Sequence, residues 1–344
     1  METFAGIDYN TWWFLVIGAV FTGYAILDGF DLGAGALHLF LRKENSRRIA
    51  LNAIGPVWDG NEVWLVIGGG ALFAGFPEVY ASLLSAFYTP LMIFLVALIF
   101  RAVSIEFRSK EPMKWWRTMW DVSYSLSSAL LAFLLGVILG NVALGIPLDE
   151  NHIYRGEHSS FFNLYSVMVG ITSLALLMMH GAIYLVMKTE DKLYDKLVFL
   201  VQRTTIFFVI ALVITSFYTL LYIPHLTNQI RDTPAMFVLP VIMILAVANI
   251  TRQISKRRYL FAFMSSAVVI SVALIIVCLE LYPTILYSSD SPENSLTVYN
   301  SASSQKTLGI MLTVAAIGVP LVGAYTTFVF WTFKGKVKLD ETSY

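Results

Sequence analysis

Gly55-Pro-Val-Trp-Asp-Gly-Asn-Glu-Val-Trp64 heads an apolar run, in a chain that is 57% hydrophobic. Its carboxylates, Asp59 and Glu62, are three residues apart and so share one helical face. A second pair with the same spacing, Asp28 and Asp31, closes the preceding apolar run. Four acids are therefore expected at one membrane depth. An ionisable side chain in hydrocarbon costs about 2.5–3.5 kcal/mol on insertion scales, so it faces a protein interior or a proton or ion path. Capping is the simpler alternative, with Asp59 or Asn61 capping the helix and Glu62 completing the cap. It accounts for one carboxylate and leaves three.

Working outward, repeated apolar stretches of about 20 residues, 13% charged residues and a mean hydropathy of +0.70 indicate a polytopic helical membrane protein. A net charge of zero suggests no nucleic-acid partner. The lone Cys278 leaves no intrachain disulfide and no cysteine metal cluster. No basic region with a short apolar core and cleavage site opens the chain, so the first helix is expected to remain as an anchor.

Apolar runs begin near residues 12, 61, 79, 119, 163, 197, 235, 260 and 308. Trp12 and Trp13 open the first as interfacial aromatics do. Pro77 separates the second from the third, which predicts a tight helical hairpin. Four connections and the C-terminal tail carry all of the 23 Lys and Arg except Arg155, Arg203, Arg231 and Lys306. The basic connections alternate with the others, so the positive-inside rule puts the N-terminus outside and the C-terminus in the cytoplasm. The fold class expected is an all-α integral membrane protein with nine transmembrane helices, forming a single membrane domain over 1–344.

Gly35-Ala-Leu-His-Leu-Phe-Leu-Arg-Lys and Gly181-Ala-Ile-Tyr-Leu-Val-Met-Lys-Thr echo each other across four helices. This predicts two like-oriented four-helix units, about 10–145 and 160–283, with a peripheral helix at about 308–333. Gly68, Gly69 and Gly70 offer a small-residue face for close packing. His180 is the histidine well inside a span, and a hydrogen-bonded packing role is the expectation for it. Little is left to hold a haem, which needs axial ligands at depth. No phosphate-binding loop or nucleophile motif points to an ATPase or hydrolase.

Tyr24-Ala-Ile-Leu-Asp-Gly-Phe-Asp-Leu-Gly-Ala-Gly35, the Gly55–Trp64 stretch and Gly69-Gly-Ala-Leu-Phe-Ala-Gly-Phe-Pro77 together closely resemble subunit II of the cytochrome bd quinol oxidases. Phe107-Arg-Ser-Lys110, Trp116-Arg-Thr-Met-Trp-Asp121, Gly140-Asn141, Gly145-Ile-Pro147 and Ser303-Ser-Gln-Lys-Thr-Leu308 extend the likeness over essentially the whole chain. The resemblance implies a heterodimer in the cell membrane of a bacterium or archaeon. A haem-bearing subunit I would hold haem b, haem d and the quinol site, with room for a small extra subunit and for membrane lipid. Subunit II would support it and contribute to the path of cytoplasmic protons to the oxygen site.

The resemblance makes Asp59 the proton carrier and puts Arg101 and Glu106 near a cytoplasmic entrance. As a second carboxylate at depth, able to take up and release a proton near neutral pH, Glu62 is the next candidate. The family pattern has Asp where this chain has Glu106, which keeps the charge. Asp28 and Asp31 are expected as supporting acids, for which a structural role fits equally well. Trp58, Gly60, Asn61, Trp64, Gly69 and Gly70 belong to the motif and its packing. Two other classes compete: a secondary transporter using the paired acids for a proton or sodium ion, and a subunit serving assembly alone.

Overall fold

The computed structural model describes residues 3–339. Its twelve α-helices are α1 (Tyr9–Ala36), α2 (Glu44–Ile54), α3 (Trp58–Gly75), α4 (Pro77–Ala86), α5 (Tyr88–Phe107), α6 (Lys114–Leu144), α7 (Leu164–Lys188), α8 (Asp191–Tyr222), α9 (Asn228–Asp232), α10 (Val238–Ser255), α11 (Tyr259–Leu281) and α12 (Gln305–Thr332). Among the described residues, eight helices are long and apolar enough to cross a membrane: α1, α5, α6, α7, α8, α10, α11 and α12. The acidic first turns of α3 keep it outside that set. Asn61 nevertheless bonds Asp31 near one end of α1, and Gly75 lies against Trp13 near the other. Thus α3 runs antiparallel to α1 over about 27 Å, as 18 residues at 1.5 Å each require.

Side chains supply several helix starts. Asp8 accepts from Thr11 N at 2.9 Å to begin α1, and Asn163 accepts from Ser166 N at 2.9 Å to begin α7. Gly145 ends α6 at φ +96°, a conformation that favours glycine. The hairpin expected at Pro77 is modified. Pro77 starts the separate ten-residue helix α4, Phe87 ends it, and the following span begins at Tyr88 rather than near residue 79. Proline at the first position starts a helix because its missing N–H would be unpaired there anyway.

An all-α chain was expected, yet four short strands form: β1 (Thr3–Phe4) with β2 (Ile7–Asp8), and β3 (Thr284–Leu286) with β4 (Leu296–Thr297). The long polar connections pack on each other around the second pair. Ile146 N donates to Tyr287 O at 3.0 Å, and Asn294 Nδ2 to Leu148 O at 3.1 Å. Glu280, buried near the end of α11, lies at this end of the bundle as well. Its carboxylate accepts from Gln229 N at 3.0 Å and Ile230 N at 2.9 Å, capping α9.

The middle of the bundle is a close crossing of α1 and α7. A Cβ added at Gly33 would lie 1.8 Å from Leu177 O, and one at Gly181 2.3 Å from Ala34 N. Beside this crossing, His180 is fully buried, bonded through Nδ1 to Ser266 Oγ at 2.7 Å and through Nε2 to Ile26 O at 3.0 Å, and stacked on Phe263. The basic connections meet at the other end, where Arg47, Arg108, Lys196 and Lys336 all bond neighbouring elements.

Gly33→Ala is expected to destabilise the protein by about 1–3 kcal/mol, the usual cost of overpacking, because a backbone carbonyl occupies the space. Gly323→Ala on α12 meets nothing within 4 Å and is expected to be neutral. Thermal melting of the solubilised protein separates the two.

Candidate functional site

Asp28 and Asp31 lie three residues apart on α1 and both are completely buried, as is Arg101 of α5. Arg101 Nη2 donates to Asp28 Oδ1 at 2.6 Å, and Nη1 to Glu62 Oε2 at 3.3 Å. Asn61 Nδ2 donates to Asp31 Oδ2 at 2.8 Å and to Leu27 O at 3.2 Å. Three of the four expected acids thus converge on one guanidinium and one amide. Taking such groups from water costs several kcal/mol per ion, and direct charge-assisted bonds offset that cost. Four buried atoms of the cluster have no hydrogen-bond partner among the described residues: Tyr24 Oη, Asp28 Oδ2, Asp31 Oδ1 and Arg101 Nε. Buried polar atoms of this kind are places where water enters a protein.

Asp59 differs from the other three. It lies in the first turn of α3, is exposed, and makes no ion pair among the described residues. Capping does not account for it, because the residue before the helix is Val57 and no side chain caps that end. Glu62 lies between the two environments, bonded to buried Arg101 while its side chain keeps 23% exposure. Gly60 and Val63 are also exposed, so this surface of α3 faces away from the chain's own core.

The motif residues divide similarly. Trp58 is buried in the central core, and the Trp64 ring covers Gly23 of α1. Gly68 packs under the Phe21 ring, whereas a Cβ at Gly69 or Gly70 would meet nothing within 4 Å. The expected small-residue face of α3 is therefore used by this chain at Gly68 and left open at the next two positions. Glu106 is half-buried on α5, between Arg101 and Arg108 in sequence.

Two helical turns beyond Arg101, a second polar layer forms around Asp121 of α6. Asp121 Oδ1 lies 2.5 Å from His38 Nε2 and accepts from Arg108 Nε at 2.6 Å. Its Oδ2 accepts from Arg47 Nη1 at 2.9 Å and Arg108 Nη2 at 3.3 Å. Arg108 reaches on to Glu44 at 2.9 Å, and Tyr124 sets its edge against the His38 ring. Ser104, bonded to Ser123 at 2.9 Å, sits between the layers on α5. Neither His38 nor Asp121 stood out as a site residue in the sequence. Asp121 within an apolar helix, with Arg47 and Arg108 at neighbouring helix ends, was the available signal.

The histidines with described side chains offer no haem-binding set. Both nitrogens of His180 are bonded, and His38 is bound into the Asp121 layer. His152 and His225 bond backbone carbonyls of the polar connections. Among the described histidine side chains, no two are brought together at membrane depth as a pair of axial haem ligands would be.

Removing Arg101 leaves buried carboxylates without a counter-charge, which costs about 3–5 kcal/mol. Arg101→Gln is expected to reduce the yield of folded protein from membranes, and Arg101→Gln with Asp28→Asn to restore much of it. Asp121→Asn removes the buried carboxylate shared by Arg47 and Arg108 and leaves Arg108 only the half-exposed Glu44 as a charge partner. It is expected to lower the melting temperature more than the exposed Asp59→Asn does.

The family model for cytochrome bd terminal oxidase subunit II matches residues 9–333. Cytochrome bd-I ubiquinol oxidase subunit 2 of Escherichia coli (strain K12) is 30% identical, the match covering 97% of each chain. Cytochrome bd ubiquinol oxidase subunit 2 of Bacillus subtilis (strain 168) is 31% identical, over 96% of this chain and 97% of the relative. A chain in the structure of bd oxidase from Geobacillus thermodenitrificans superposes with a TM-score of 0.80 at 18% identity, covering 94% of this chain and 98% of that one, and so shows the fold alone. With its apolar helices, this chain is a multi-pass protein of the bacterial cytoplasmic membrane and belongs to the cytochrome bd terminal oxidase subunit II family.

Proposed function

We propose that this chain is subunit II of a terminal quinol oxidase that oxidises quinol and reduces dioxygen to water. In this reading a partner subunit I holds haem b, haem d and the quinol site, and this chain supports it and supplies carboxylates to the cytoplasmic proton path. The subunit assignment rests on the family match over residues 9–333. One observation carries the proton reading: Glu62 bonds the fully buried Arg101–Asp28 pair and is itself partly exposed, one helical turn from Asp59. Asp59 on that surface would collect a proton and Glu62 would pass it inward or across to the partner. Reducing dioxygen consumes four protons, so a continuous supply is a chemical requirement of the reaction. The exposed carboxylate and open glycines on α3 support cover by a partner, because a charge at membrane depth faces protein rather than lipid.

The same reading takes α3 as the ninth span, with the basic end of the bundle in the cytoplasm and the N-terminus outside. It also takes 10–145 and 160–283 as related four-helix units. Corresponding helix contacts support this: α1 pairs with α6 and α5 with α6 in one half, as α7 pairs with α11 and α10 with α11 in the other.

Asp59→Asn keeps the shape and removes the titrating group. Oxygen consumption per haem d is expected to fall by roughly an order of magnitude or more, with haem spectra and assembly retained. Unchanged activity at every pH would remove Asp59 from the path, and loss of the assembled complex would make the carboxylate structural.

A further inference from the structure

A cavity of about 420 Å³ opens between the C-terminal ends of α7 and α12, within the usual range of about 300–1,000 Å³ for ligand sites. Lys188, Lys334, Lys336 and Lys338 all line it, and none of its described lining residues is acidic. The tail after α12 is tied in place there. Val337 N donates to Lys188 O at 2.9 Å, Lys336 Nζ to Thr189 O at 2.7 Å and Val186 O at 3.3 Å, and Lys188 Nζ to Phe333 O at 2.6 Å. An ammonium has three donors, so Lys188 keeps two for a ligand and Lys336 one. Lys334 and Lys338 are exposed and make no bond to α7.

Tyr184 and Phe330 give the cavity an apolar wall. Trp331 is exposed beside it, as an aromatic at a bilayer surface is. From there the exposed side chains of Phe328, Tyr325 and Leu321 run along α12 into the membrane. Fixed positive charge at the bilayer surface above an apolar strip matches a molecule with a phosphate head and acyl tails. We infer that this cavity binds the headgroup of an anionic glycerophospholipid from the surrounding leaflet, with its acyl chains along α12.

The test uses the intact complex, titrated with dioleoylphosphatidylglycerol and, in parallel, dioleoylphosphatidylcholine, with bound lipid counted by native mass spectrometry. Lys334→Gln with Lys338→Gln removes two charges while leaving the bonds that dock the tail. Each basic residue near the surface is worth about a fivefold change in anionic-lipid binding, so half-saturation of one phosphatidylglycerol site is expected to rise roughly 25-fold. The paired Lys→Arg variant is expected to keep the site, and wild type to prefer phosphatidylglycerol. Equal phosphatidylglycerol binding by wild type and the Gln variant would overturn the assignment. So would equal binding of phosphatidylcholine by wild type, loss of the site in the Arg variant, or displacement of the lipid by millimolar inorganic phosphate.

Discussion

A guanidinium with no exposed surface has to be neutralised by groups that are themselves buried, and in this protein Arg101 meets that constraint through α1 and α3 together. The pairs tie α5 to residues 73 and 39 positions away along the chain, so the cluster sets the relative position of three helices. Two turns on, Arg108 and Asp121 repeat the arrangement with α6 and the segment after α1. Apolar packing has little orientational preference inside a bilayer, where lipid tails are as apolar as leucine. Buried charge supplies that preference, since a shifted helix would leave a carboxylate or guanidinium unpaired.

The two layers differ in the carboxylate oxygens they leave unsatisfied, although each keeps unpaired nitrogens, Arg101 Nε in the first and His38 Nδ1 and Arg108 Nη1 in the second. Asp121 uses both oxygens, shared among His38, Arg47 and Arg108, which suits a fixed structural joint. Asp28 and Asp31 each use one oxygen and leave the other without a protein partner. Three acids against one guanidinium also leave the first layer with more proton-accepting capacity than its ion pairs consume. The proposed proton path draws on that surplus, whereas a joint that only holds helices has no use for it.

Much of this was legible in the sequence. Hydropathy alone located the apolar runs, and the paired acids marked the depth at which the chain places its charges. The basic connections identified one end of the bundle before any helix was placed. Other features depended on contacts between distant residues. Spacing put Asp59 and Glu62 on one face, yet which of the two turns inward depends on where Asp28 and Arg101 sit. Asp121 read as one acid in an apolar helix, because its partners come from residues 38, 47 and 108. Glu280 caps α9 through Gln229 and Ile230, 51 and 50 positions away, a pairing that no local pattern marks. Helix α4 was hidden because Phe87 ends it within a continuous apolar run. The Gly33–Gly181 crossing was not legible, since the echo aligned Gly35 with Gly181 as equivalent positions and a close approach of two backbones leaves no mark on hydropathy.

The proposed function needs a haem-bearing partner, because each described histidine side chain already holds a hydrogen bond within the chain and the exposed Asp59 needs cover. The direct measurement is the absorption spectrum of the protein purified by a tag on this chain, with quinol-dependent oxygen consumption followed on the same sample. Bands of b- and d-type haem, accompanied by a second large subunit and by oxygen uptake, are the expected result. A colourless chain that is self-sufficient, moving an ion or solute across vesicles with no partner, would contradict it.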